Sequence, residues 1–133
     1  ELTERTIPAE TGLIERTVSF TKGCYTGQEL VARIDSRGSK VARRLCGLRL
    51  SGAGSGSGSS DILAGAGLRS DGKDVGSITS ATRSPRLGPI ALAYVRRAID
   101  LGATVEVVVA SDGEQPASPT GVTAVVSTLP MIP

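Results

Sequence analysis

The chain has 133 residues, 39% hydrophobic but only 2% aromatic, with no histidine. One domain is the expectation at this length, its core built from Val, Leu, Ile and Ala, each contributing about 1.5–3 kcal/mol when fully buried. The missing imidazole excludes His metal sites and Ser-His-Asp or Cys-His catalysis, and a net charge of +2 with three aromatic residues argues against a nucleic-acid binder.

No run of about 18 apolar residues offers a membrane span. The start lacks the basic-then-apolar pattern of a secretory signal, so a cytoplasmic location is expected. Cys24 and Cys46 form neither a CxxC pair nor a metal quartet; the sequence leaves a disulfide open, with reduced thiols the simpler reading. A chain that begins at Glu1 and has Met131 as its one methionine reads as a fragment.

In chain order, residues 1–40 are a polar lead, a Gly-bounded loop and one short helix. The helix is predicted over 26–37. Thr26 and Glu29 fit a capping box, with Thr26 as N-cap, and Tyr25 and Leu30 fit a hydrophobic staple. Leu30, Val31 and Ile34 make an apolar face, Arg33 and Arg37 another, and Gly38 stands at the C-terminal cap. From 41 to 133 strands are expected at 42–50, 61–68, 74–82, 89–97, 103–110 and 121–129, separated by Gly, Ser, Asp and Pro clusters. In the first, Cys46, Leu48 and Leu50 share a face opposite Arg43 and Arg49. In the fifth, Val105, Val107 and Val109 oppose Glu106, and Val108 breaks the alternation. The Gly/Ser run 51–60 lacks the Lys-Ser/Thr of a phosphate loop and reads as a flexible hairpin connection. Residues 111–121 read as a surface loop. The fold expected is mainly β: a small antiparallel, Greek-key-like six-stranded barrel with a short N-terminal helical and loop segment, the helix packed outside.

The chemistry-bearing segment is Lys22-Gly23-Cys24-Tyr25-Thr26-Gly27-Gln28-Glu29. It places a thiol two residues before the expected N-cap and two residues from a lysine, a setting that favours thiolate. Gly23 and Gly27 permit unusual backbone angles or close approach of a ligand. The competing reading is a thiol that is simply a small hydrophobe, with Thr26 and Glu29 only capping. For Cys46, on the apolar face of a strand, the structural role is the expectation.

This segment, continuing to Arg33 and Gly38, closely resembles the KGC[FY]xGQE signature of the YgfZ family of iron–sulfur assembly factors. Ile7-Pro8-Ala9-Glu10 and Val18-Ser19-Phe20 are similar to the family's lead into the motif. Val75-Gly76-Ser77-Ile78-Thr79-Ser80 resembles the VGxxTS strand of the wider aminomethyltransferase superfamily, and Ile90 to Val95 the strand after it. The resemblance implies that residues 1–40 end a folate-binding portion and residues 41–133 form a T-protein-like barrel. It implies a role in assembly or repair of 4Fe–4S enzymes, with a tetrahydrofolate derivative as the full-length protein's cofactor and little binding by this part alone. Cys24 is then the functional thiol, with Lys22; Gly23, Tyr25, Gly27, Gln28, Glu29 and Arg33 are the carried-over cofactor-binding positions, with no metal ligands. Implied partners are the assembly machinery or client enzymes, not nucleic acid or membrane, around a monomer. Two alternatives stand beside this: a tetrahydrofolate-dependent aminomethyltransferase, and a purely structural barrel. The T-protein-like catalytic carboxylate would lie outside this chain, so independent catalysis is not expected of it.

Overall fold

The computed structural model describes residues 1–52, 64–109 and 118–132. Six strands, β1 (Arg43–Ser51), β2 (Gly67–Ser70), β3 (Lys73–Ser84), β4 (Gly88–Arg96), β5 (Thr104–Val109) and β6 (Ser118–Ser127), follow two short helical turns and one longer helix. All pairs are antiparallel, and the strands close in the order β1-β4-β3-β2-β5-β6, with β6 returning to β1. Consecutive β1 and β2 are not neighbours, nor are β4 and β5, which gives the barrel its Greek-key character. Closure pairs every strand on both sides and so leaves no open sheet edge.

Alternation explains most of the core. Cys46, Leu48 and Leu50 of β1 point inward, together with Leu68, Ala91, Ala93, Val95, Val105, Val107, Val122, Ala124 and Val126. Strict alternation fails in β3, where Val75, Ile78 and Ala81 reach the core at spacings of three. The register slips at both places, across Val75 against β2 and across Thr79 against β4. Each bulge inserts an extra residue and turns the next side chain back inward. At the second, the Thr79 hydroxyl donates to the Leu92 carbonyl at 3.0 Å. The irregular Val108 likewise sits where β5 slips against β6, and it is buried outside the core cluster.

Two strands differ from expectation. β2 runs from Gly67 to Ser70; just before it Gly65 turns at φ +84 while its N–H bonds Ile78 O at 2.9 Å and Ala66 O accepts the Ile78 N–H at 2.8 Å, and residues 61–63 lie outside the described residues, as do 53–60 of the Gly/Ser run. β6 begins at Ser118, so the expected surface loop gives up its last four residues to the strand, and Ser118 and Pro119 pair with Val109 and Val108 of β5. β6 ends at Ser127, two residues before the Leu129–Pro130 bond. No helix among the described residues is long and apolar enough to cross a membrane.

Candidate functional site

The segment before the barrel contains a 3₁₀ turn (Pro8–Thr11), a single turn α1 (Ile14–Thr17) and the helix α2 (Gln28–Ser36). The 3₁₀ turn rests on β1, and α2 rests on the 3₁₀ turn. A side-chain clasp helps to tie this segment down. Arg43 at the start of β1 donates from Nε to Glu10 Oε1 at 3.0 Å and stacks over the Tyr94 ring at 4.8 Å. Tyr94 in turn donates from its hydroxyl toward the Glu1 carbonyl and Thr6. Glu10 is buried, and its Oε2 has no partner among the described residues.

The expected capping box does not form. α2 begins one residue later than the box requires, with Gly27 as N-cap at φ +83 and no side-chain cap. That left-handed turn is one only glycine adopts without cost, and it carries Thr26 past the capping position. Gln28 takes over instead: its Oε1 accepts the Tyr25 N–H at 3.2 Å. The expected staple is also loose, because Leu30 is 41% exposed. Of the apolar face, Val31 is buried and Ile34 half-buried. The C-terminus follows expectation: Gly38 N–H bonds Asp35 O at 2.9 Å and Ser39 N–H bonds Ile34 O at 2.9 Å. These are the paired bonds of a Schellman motif, with Gly38 at φ +75.

A shallow cleft of about 370 Å³ runs along the start of α2, lined by Ser19, Phe20, Lys22, Tyr25, Gln28, Glu29 and Ala32. Four residues of the KGCYTGQE motif therefore share one surface. The Lys22 ammonium lies 5.4 Å from the Tyr25 ring centroid, a cation–π distance. Cys24 is free and exposed, next to the cleft in sequence but not part of its lining. It precedes the actual N-cap by three residues rather than two. Gly23 has open space around it and no left-handed φ, so no close approach is built there. Arg33 is exposed and lies off the cleft.

Sequence reasoning missed Ser19, Phe20 and Ala32 as cleft residues. Phe20 carried a signal: it is the one phenylalanine, and it stands 57% exposed. Cys46 is the opposite thiol, 2% exposed. Burial pushes its pKa up, and Arg44 only partly opposes this through its charge and a hydrogen bond. Among the described residues no cluster of three or more His, Cys, Asp or Glu side chains could hold a metal ion.

Residues 43–126 match the model of the glycine cleavage T-protein C-terminal barrel domain. The chain is 34% identical over 110 residues to a protein of Arabidopsis thaliana named as a chloroplastic transferase, covering 78% of this chain and 23% of that protein. It is 38% identical over 96 residues to an aminomethyltransferase of Nostoc sp., covering 71% and 23%. The crystal structure of the glycine cleavage system aminomethyltransferase T from Bartonella henselae superposes with a TM-score of 0.53 at 25% identity, over 76% of this chain and 25% of that one. The chain thus spans about a quarter of the length of these relatives.

Proposed function

Because the chain belongs to the glycine cleavage T-protein C-terminal barrel family, we propose that it is the barrel-bearing part of a folate-binding accessory protein that supports assembly or repair of 4Fe–4S enzymes through its Cys24 loop. The observation that carries this reading is an exposed thiol beside a cleft lined by Lys22, Tyr25, Gln28 and Glu29 of one contiguous motif. In this reading Cys24 supplies a soft sulfur nucleophile or ligand to a partner, while Gly27 and Gln28 fix the loop that presents it. The partners are the assembly machinery or its client enzymes, met by a cytoplasmic monomer.

The cleft suits a tetrahydrofolate derivative only as one wall of a larger site. Its volume is at the low end of small-molecule pockets, and its aromatic side chains are Phe20 and Tyr25. Bound there, the cofactor would bring one-carbon chemistry; this chain would contribute ring contacts and the Lys22 charge.

A second reading, tetrahydrofolate-dependent aminomethyl transfer, is favoured by the Nostoc and Bartonella relatives. The two separate in the full-length protein carrying Cys24→Ala. The assembly reading expects near-normal folate titration and no turnover of an aminomethyl-lipoyl carrier by wild type or variant, but at least a severalfold fall in a dependent 4Fe–4S enzyme in cells lacking the native factor. Carrier turnover by the wild-type protein with full 4Fe–4S activity in the variant would favour the transferase reading.

A further inference from the structure

We infer that a second cavity, at the end of the barrel where β1 begins and β4 and β6 end, binds a small amphipathic organic anion. It is an open concavity of about 480 Å³ between the barrel and the turn formed by Ala9 to Arg16. This site is separate from the Cys24 cleft and does not rest on the reading given to it.

Charge is the first argument. The lining includes Arg16, Arg44 and Arg97 and no acidic side chain. The two salt bridges among the described residues use Arg43 and Arg69, so none of the three cavity arginines has a carboxylate partner there. Arg44 is the anchored one. Its Nη2 donates to the Ile99 carbonyl at 2.6 Å, and its Nε is enclosed without a partner among the described residues. A guanidinium held in one orientation loses little entropy when it binds a carboxylate or phosphate. Three cations around one cavity repel one another, and an anion relieves that repulsion.

The second argument is apolar surface. Leu13, Leu101 and Leu129, three of the six exposed large apolar side chains among the described residues, all line this cavity. Cys46 lines it too, and since burial raises its pKa it is a neutral wall rather than a nucleophile. Clustered leucines around arginines match a ligand with an apolar body and an anionic head. Inorganic phosphate alone would leave the leucines unused. Binding sites of this kind are largely apolar concavities with a few convergent polar groups, and the volume falls in their usual range.

The test uses the full-length protein and the fluorescent anion 8-anilinonaphthalene-1-sulfonate, with N-phenyl-1-naphthylamine as its uncharged counterpart. The expected result is saturable binding of the anion that is at least tenfold weaker in Arg44→Met and in the double variant Arg16→Gln/Arg97→Gln. Arg86→Gln, in the β3–β4 turn at the opposite end of the barrel, should bind as wild type. Octanoate and octyl phosphate as competitors identify the preferred head group, and octanol should not compete. Equal affinity for the uncharged dye, or unchanged anion affinity in both cavity variants, would overturn the proposal. Should Arg44→Met fail to fold, the double variant decides, because Arg16 and Arg97 are exposed side chains.

Discussion

Side chains from all six strands close one aliphatic core in the barrel, whereas in residues 1–42 only Glu10 and Val31 are buried and Leu2, Leu13, Phe20 and Leu30 face solvent. The barrel draws its stability from apolar burial distributed over a closed sheet. The lead segment has no core of its own and is fixed by the Arg43–Glu10 pair, the Tyr94 hydroxyl contacts and the seat of the 3₁₀ turn on β1. The comparison teaches where chemistry can be placed. Inward-facing groups of the barrel wall are spent on packing, while exposed groups on the lead are left to face a ligand or partner, and Cys46 and Cys24 divide in this way.

The largest effects should come from breaking the barrel. Leu68 is fully buried, and Leu68→Ala should cost about 2–5 kcal/mol through lost transfer energy and the cavity left behind. Thermal unfolding should then show both regions lost together. Gly76 and Gly47 give a sharper contrast. A Cβ at Gly76 would collide with the backbone carbonyl of Tyr94, which cannot move without parting β3 from β4. A Cβ at Gly47 would lie 2.5 Å from Cγ of Met131, a flexible side chain. Overpacking typically costs about 1–3 kcal/mol; Gly76→Ala should fall at or above the top of that range and Gly47→Ala at the bottom, as read by denaturant titration.

Breaking the clasp should cost less and act locally. Arg43→Ala strands the Glu10 carboxylate, but the arginine side chain is 47% exposed, so the loss should be about 1–2 kcal/mol rather than the value for a fully buried pair. Hydrogen exchange should rise in residues 1–20 with the strands still protected. Equal loosening of the barrel would show that the two regions are one cooperative unit.

The thiols predict a dependence on pH. The folded pKa of Cys46 lies above its unfolded value. Above about pH 8.5, where an unperturbed thiol ionises, the unfolded chain gives up a proton that the fold retains. Stability should therefore be constant below that pH with respect to this group and fall as pH rises toward the folded pKa. Cys46→Ala should lack this alkaline component. In native protein Cys24 should label rapidly with a thiol reagent and Cys46 only on unfolding, since access and thiolate fraction control the rate. The smallest effect belongs to Cys24→Ala, expected within about 0.5 kcal/mol of wild type because the side chain is exposed.

Much of this architecture was legible in the sequence. Period-two alternation located β1 and β5 closely, the Gly, Ser, Asp and Pro clusters bounded β3 and β4, and the glycine at position 38 marked the end of α2. The two bulges of β3 were not legible, because a residue that restores the inward phase looks like noise in an alternating pattern. The capping box failed for a related reason: Thr26 and Glu29 have the right spacing, but the left-handed turn at Gly27 decides the geometry. Four residues of the motif line the cleft, yet Phe20 and Ala32 join it only through the fold. The arginine-lined cavity draws on residues 16, 44 and 97, which no local pattern connects.

The central claim is that the exposed thiol acts while the buried one packs, and one paired experiment tests it most directly. Cells lacking the native factor would receive full-length protein carrying Cys24→Ala or Cys46→Ala, matched for folded protein level, and a dependent 4Fe–4S enzyme would be assayed. The account predicts that activity falls severalfold with Cys24→Ala and stays near wild type with Cys46→Ala; full activity with Cys24→Ala would contradict it.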